Sequence, residues 1–420
     1  MTGPGGQTAE LLIDSIGAQG DGISRTAGAR PVFTPLTLPG ERVLARVEGD
    51  RGELVEVLEP SPDRIAPVSP HYGDCGGCAL QHWAAEPYLA WKREQVVQTL
   101  AREELETEVA PTFACPPASR RRLALHARPV KGGAILGFKA RRSWRLVDVN
   151  VCPVADPALV KALPALRKLA AAFFEHPKSA PTLHVTTTLS GIDVEVTGVE
   201  RRSGGLSADA RMRAAEAAGE ADFARVTMGG EILYQARQPV VRFGQAVVAL
   251  PPGAFLQAVP AAEAEMVRLC VEAVRGARTL ADLFCGAGAF TFPLAELAPV
   301  LAADSAESSI QALKSAVATA PGLRPIAAEA RDLFRRPVSA DELRKVEAVV
   351  FDPPRAGAEA QTVEIAKSNA GVVAGVSCNP ATFARDARIL VDAGFRLERV
   401  TPVDQFLWSA HIELVGVFRR

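Results

Sequence analysis

From about residue 260 onward, short apolar runs alternate with helix-length segments, and few folds accept that rhythm. The apolar runs are Thr279–Phe284, Pro299–Asp304, Val346–Asp352, Gly371–Ser377 and Phe395–Pro402. Between them, helices are expected over 290–298, 306–319 and 381–393, preceded by a helical face of Met266, Leu269, Cys270, Ala273 and Val274. Strands that are apolar throughout are buried on both faces, so the pattern predicts a mostly parallel sheet with helices above and below it. Leu283–Ala303 carries one charge, Glu296, and has the length of a membrane span. Gly286, Gly288, Pro293 and Pro299 break it into a strand, a turn, a short helix and a second strand.

Such a sheet binds its ligands beyond the carboxyl ends of its strands. Asp282-Leu283-Phe284-Cys285-Gly286-Ala287-Gly288 occupies that position, where glycine lets the backbone come close to a ligand. Asp304 ends the next strand, and a carboxylate there accepts both hydroxyls of a ribose. Phe290 and Thr291 stand where a dinucleotide fingerprint needs its third glycine, and no Lys-Ser/Thr follows to make a P-loop. A nucleoside cofactor without a pyrophosphate, S-adenosylmethionine, fits this turn. Asp352-Pro353-Pro354-Arg355 ends a further strand, with arginine where amino-group methyltransferases carry an aromatic that stacks on the target base.

Ser377-Cys378-Asn379-Pro380 places a cysteine at a strand's carboxyl end, as a nucleophile or as a small buried hydrophobe. In His411-Ile412-Glu413-Leu414-Val415, alternation puts Ile412 and Leu414 on one face and His411 and Glu413 on the other. The simplest reading of Glu413 is a carboxylate facing solvent.

Ahead of the repeating part, residues 8–60 read as short strands with a hairpin at Gly49-Asp50-Arg51-Gly52, either an OB-like barrel or a plain structural β-module. Pro60, Pro62, Pro67 and Pro70 mark a linker, and residues 71–250 are mixed, with a helix after Pro87. A basic stretch there holds Arg120, Arg121, Arg122, Lys131, Lys139, Arg141, Arg142 and Arg145 around Trp144. It suits phosphate contact with base stacking, or a solvated sheet face. Lys and Arg total 47 against 48 Asp and Glu, so any nucleic-acid footprint is local. Seven scattered cysteines speak for reduced thiols, metal ligands or catalysis rather than a disulfide framework. Met1–Glu10 is Gly-rich and polar, unlike a secretory signal, and a cytoplasmic protein is expected.

The blocks His71–His82, Phe255-Leu256-Gln257, Asp282–Gly288, Asp352–Arg355, Ser377–Asp386 and His411–Glu413 together resemble, in order, the TrmA/RlmD family of S-adenosylmethionine-dependent RNA (uracil-5-)-methyltransferases. Gly17–Gly22 and Leu36–Glu41 resemble that family's TRAM domain. The resemblance implies an α/β protein in three parts. These are a TRAM-like OB barrel over 1–60, a mixed α+β central domain over 61–255, and a class I, Rossmann-like methyltransferase domain over 256–420. It implies Cys378 as nucleophile and Glu413 as base, with Gln257, Phe284, Gly286, Asp304, Asp332 and Asp352 lining the cofactor and base pocket. Asp304 departs from the family's usual glutamate, and Ala289 and Val259 each replace an asparagine. The implied product is 5-methyluridine, in 23S ribosomal RNA by virtue of the TRAM domain, made by a monomer that needs no membrane. A transfer-RNA enzyme, an amino-group methyltransferase and a non-catalytic RNA-binding factor are the competing readings.

Many members of the family hold a [4Fe-4S] cluster through a C-x5-C-x2-C arrangement and one distant cysteine. Cys75, Cys78 and Cys152 match three of those positions, but Ser69 falls on the first, and a serine oxygen is a poor ligand for iron. The expectation for a cluster is therefore open, with three thiolates or a replacement ligand.

Overall fold

A computed structural model describes residues 7–25, 30–200 and 205–420. Residues 1–6 of the segment compared with a secretory signal lie outside the described residues.

The first body is a six-stranded sheet in which Gln7–Leu12 and Ser15–Ile16 lie at opposite ends of the strand order. Only Ile13 and Asp14 separate those two strands in the chain, and Ile13 N donates to Glu41 O while Asp14 N donates to Ile23 O. The sheet therefore curls until its two edges meet, around a core of Leu11, Ile13, Val43 and Ala45. The hairpin turn is narrower than expected: Glu48 pairs with Arg51, which leaves Gly49 and Asp50 as the loop.

The second body is a seven-stranded sheet from Arg122–Val130 to Glu231–Gln235, backed by the helices Pro157–Ala171 and Ala208–Glu220. Leu125, Leu136, Val185 and Val194 from the sheet and Leu159, Leu166 and Ala214 from the helices form its core.

The third body carries the β/α rhythm. Its strands run in the order Ile326–Ala330, Val300–Asp304, Leu280–Leu283, Ala348–Phe351, Val372–Ser377, Glu413–Arg419, Arg396–Asp404 and Glu108–Val109. The first five are parallel, and Glu413–Arg419 is antiparallel to both of its neighbours. The five expected strands fall within two residues of their predicted ends. Ile326–Ala330 was not anticipated, because an edge strand half-open to solvent lacks the apolar run that marks the others.

Packing does not follow the sequence boundary expected at 255. The helix Ala85–Arg102 buries Val96 and Leu100 among Leu390, Leu397 and Val400 of the third body. The hairpin Val240–Phe243 and Ala246–Ala249 buries Val241, Phe243 and Val248 against Met266 and Leu313. Both segments therefore leave the expected 61–255 unit and complete the third body's core. That helix begins at Ala85, with Pro87 in its first turn, where a missing N–H costs nothing.

Among the described residues, several of the basic stretch are held in ion pairs or carbonyl bonds, four of them to another body. Arg141 and Arg142 both pair with the buried Asp21 of the barrel, and Arg145 pairs with Asp74. Arg121 pairs with Glu263 at 2.6 Å and donates to Gln257 O, and Arg122 donates to Leu256 O. Arginine is suited to this because its fork meets carboxylates and several carbonyls at once.

Candidate active site

The residues expected to act together come from the carboxyl ends of adjacent parallel strands. Phe284 follows Leu280–Leu283, Asp304 ends Val300–Asp304, Asp352 follows Ala348–Phe351, and Cys378 follows Val372–Ser377. Glu413 reaches the same place from the antiparallel strand, since Ser377 pairs with Leu414 and one further residue sets Cys378 across from Glu413. Opposed residues in such a pair lie about 5 Å apart at Cα. Glu413 is buried, not solvent-facing, because Arg396–Asp404 covers its other side through the pair Val403–Glu413.

A chain of amides joins the two carboxylates. Gln257 Nε2 donates to Asp352 Oδ2 at 2.9 Å, and Gln405 Nε2 donates to Gln257 Oε1 at 2.9 Å and to Glu413 Oε1 at 3.1 Å. Gln257, Gln405 and Glu413 are each at most 4% exposed. Burial pushes the Asp352 carboxyl up to about 7, against the opposing Gln257 hydrogen bond. Burial, reinforced by the Asp352 charge, holds Glu413 well above the usual carboxylate range, and the Gln405 amide opposes that rise. The Cys378 thiol is pushed up to about 11 by burial and by the charges of Glu413 and Asp352, while Arg355 pulls the other way. Asn379 caps the following helix Pro380–Asp392 through Ala381 N and donates to Arg355 O, which fixes the turn that presents the sulfur. Sequence reasoning passed over Gln405; its only signal was a polar pair, Asp404-Gln405, directly after the apolar Pro402-Val403.

The neighbouring turn has the shape that an adenosine-bearing cofactor needs. Phe284 adopts φ +63°, rare for a side chain larger than asparagine, and its ring lies 5.6 Å from that of Phe334. Gly286, at φ +53°, has no atom within 4 Å of where a Cβ would sit, so the surface there is open to a ligand. Gly288 is the opposite case, with Phe292 only 2.7 Å from that point. Asp304 accepts from Gly286 N at 3.0 Å and Ala306 N at 2.7 Å, and its half-buried oxygens keep acceptor capacity for a ribose. Asp282 lies beneath, fully buried and bonded to Thr291, with its carboxyl pushed up to about 8 by burial. Asp332 is exposed at the rim, its carboxylate bonded to Phe334 N and Arg335 N. The residues present fit S-adenosylmethionine, and Gly286, Asp304, Phe284 and Asp332 are the ones that would hold it.

A cavity of about 880 Å³ opens from Cys378 and Gln405 toward Arg120, His411 and Phe406. Arg120 lies over the Phe406 ring at 5.7 Å. Cys75, Cys78 and Cys152 line the far wall, with burial pushing Cys78 up to about 11. The fit to a four-thiolate cluster fails here: Ser69 Oγ is engaged by His71 N, and among the described residues no three His, Cys, Asp or Glu side chains form a group able to hold a metal. Cys115 lines the same cavity and is buried in the apolar cluster that holds Val241 and Val259.

Fold and site together define a class I methyltransferase with a small β-barrel at its front. The family model for tRNA (Uracil-5-)-methyltransferase matches residues 241–420, and that for the TRAM domain matches residues 5–54. An RNA methyltransferase of Caulobacter vibrioides is 68% identical over 98% of this chain and 100% of its own length. The 23S rRNA (uracil(1939)-C(5))-methyltransferase RlmD of Halomonas elongata is 33% identical over 96% of this chain and 88% of its own. The crystal structure of Pyrococcus abyssi tRNA (uracil-54, C5)-methyltransferase with S-adenosyl-L-homocysteine superimposes with a TM-score of 0.74 over 97% of this chain and 99% of that one, at 23% identity. The chain belongs to the TrmA/RlmD family of S-adenosylmethionine-dependent RNA (uracil-5-)-methyltransferases. Among the described residues no helix is long and apolar enough to cross a membrane.

Proposed function

We propose that this chain forms 5-methyluridine in 23S ribosomal RNA, with Cys378 as nucleophile and Glu413 as base. The observation that carries the reading is the nearness of Cys378 and Glu413, each one residue past the pair Ser377–Leu414, with Cys378 lining a cavity of about 880 Å³. Carbon 5 of uracil is a weak nucleophile, and chemistry at this position begins at carbon 6. The Cys378 thiolate adds there, and the displaced ring electrons make carbon 5 an enolate carbon. S-adenosylmethionine, when bound, supplies an electrophilic methyl group. Once carbon 5 is alkylated, Glu413 takes its proton, the C5–H electron pair restores the ring double bond, and the C6–S pair returns to sulfur.

Two features of the site suit these roles. Burial favours the thiol form of Cys378 at rest, and its own backbone N–H and the Arg355 charge work in the opposite direction, toward the reactive thiolate. Gln257, held between Asp352 and Gln405, connects to Glu413 through the Gln405 amide. The target base must leave its stack to reach so enclosed a site. The ribosomal assignment draws support from the TRAM barrel and from the 33% identical relative, whose name specifies 23S rRNA.

RNA containing 5-fluorouridine cannot lose its carbon 5 substituent and should remain bound to the protein through Cys378. An adduct stable to denaturation is expected with the wild type and not with Cys378→Ala; equal behaviour of the two removes the nucleophile from this role. Mapping 5-methyluridine in ribosomal and transfer RNA from a strain lacking the chain assigns the target. Loss confined to transfer RNA rejects the ribosomal assignment.

A further inference from the structure

The Gln405 side chain has no part in the reaction as written, yet each of its polar atoms is committed. Its Oε1 accepts from Val259 N at 3.2 Å, which fixes the flip of the amide and turns the NH2 group toward Gln257 and Glu413. The reverse flip would set Gln405 Oε1 against two acceptors, Gln257 Oε1 and Glu413 Oε1, and leave Val259 N–H without its partner. One backbone amide therefore sets the orientation of the whole Asp352–Gln257–Gln405–Glu413 chain. At its end the two oxygens of Glu413 are unequal. Oε1 is engaged by Gln405, whereas Oε2 is buried with no hydrogen-bond partner among the described residues. A buried carboxylate oxygen left bare is costly and needs a reason.

From this geometry, and resting on the base assignment above, we infer that Gln405 is the positioning residue for proton removal: it ties down Glu413 Oε1 so that Oε2 alone meets the carbon 5 proton. Gln405 touches neither uracil nor cofactor in this scheme and acts only through Glu413. Its donated hydrogen bond stabilises the ionised form of Glu413, the form a base requires, in surroundings that otherwise favour the neutral acid.

Removing the amide should slow one step and spare the others. Gln405→Met keeps the length and loses the donors; Gln405→Glu keeps the shape and the Val259 acceptor and loses the donors to Gln257 and Glu413. The full chain is mixed with S-adenosylmethionine and total RNA from a strain lacking it. Two species are followed in a single turnover, the covalent RNA–protein adduct and released 5-methyluridine. Adduct formation is expected to stay within about twofold of wild type. Release should slow by about tenfold to a hundredfold, the effect of one hydrogen bond to a charged group, so that adduct accumulates. The acidic limb of the release rate should also move to higher pH, because Glu413 then gives up its proton less readily. Asp352 and Cys378, which face Glu413, and Arg355, which faces Cys378, are unchanged in both variants.

Folded Gln405→Met and Gln405→Glu proteins with wild-type release rate and pH profile would overturn the inference, as would adduct formation and release slowing together. Cys378→Ala in the same assay separates the two levels. If it still forms adduct, the underlying base-and-nucleophile reading fails; if it forms none while the Gln405 variants match wild type, only the role of Gln405 fails.

Discussion

Lys92 lies at the centre of the helix Ala85–Arg102, and its ammonium is 1% exposed. It pairs with Asp404, itself fully buried, and donates to Phe406 O at 3.2 Å and His411 O at 2.7 Å. Lys92→Met keeps the methylene stem and deletes all three bonds. A hydrogen bond to a carboxylate contributes about 1.5–3 kcal/mol and one to a carbonyl about 1 kcal/mol, so the three sum to about 4 kcal/mol. That matches the loss of about 3–5 kcal/mol when one partner of a buried ion pair is removed. Asp404 then keeps only Tyr88 Oη, at 3.1 Å on Oδ1, since its Oδ2 has no partner among the described residues. Urea denaturation followed by circular dichroism should show a lower midpoint with an unchanged slope. In Lys92→Met with Asp404→Leu, no charge is stranded, and most of the loss should be regained. A single variant within about 1 kcal/mol of wild type, or a double variant no better than the single, would refute the reasoning. Methylation should fall in parallel, because Lys92 ties down the segment after Asp404 that carries Gln405, Phe406 and His411.

Four further outcomes follow from the same structure. Arg121→Ala should cost about 3–5 kcal/mol, since it strands the buried Glu263, and it should leave the salt dependence of RNA binding unchanged; denaturation and binding titrations from low to high salt check both. Gly288→Ala should destabilise more than Gly286→Ala in thermal melts: both require left-handed φ, but only at Gly288 does the new methyl meet Phe292 at 2.7 Å. Asp282 holds its proton more tightly in the folded chain, so stability is highest below the ordinary value of 3.8 and falls as pH climbs toward about 8. Melting temperatures of Asp282→Asn should accordingly change less across that window. Alkylation of Cys378 by iodoacetamide should keep accelerating well above pH 9 and level off near 11, as mass spectrometry of the labelled peptide can follow.

The sequence by itself determined the third body and much of its site. Uninterrupted apolar runs can be satisfied only inside a covered parallel sheet, and that sheet delivers whatever follows each run to one edge. Asp304 was legible for this reason, and Asp352 and Cys378 were placed by it, each lying at or just after the last residue of such a run, while the family resemblance gave Cys378 its role as nucleophile and singled out Phe284. The motif order supplied Gln257, Asp332 and Glu413, which periodicity alone did not single out.

Tertiary structure decided what depends on partners distant in the chain. Glu413 read as exposed because alternation reports one sheet face; two flanking strands, with Ser377–Leu414 and Val403–Glu413 in register, bury it. The arginines of 120–145 read either as a nucleic-acid footprint or as a solvated sheet face, because charge along a sequence carries no information about its counterpart. Asp21 and Glu263, far away in the chain, turn Arg141, Arg142 and Arg121 into ties between bodies. Gln405 and Lys92 left almost no signal, since a buried polar residue declares its role only through the atoms folded against it. Their partners lie as far as 319 residues away, for Lys92 and His411, a separation that only the closed core brings within hydrogen-bond reach.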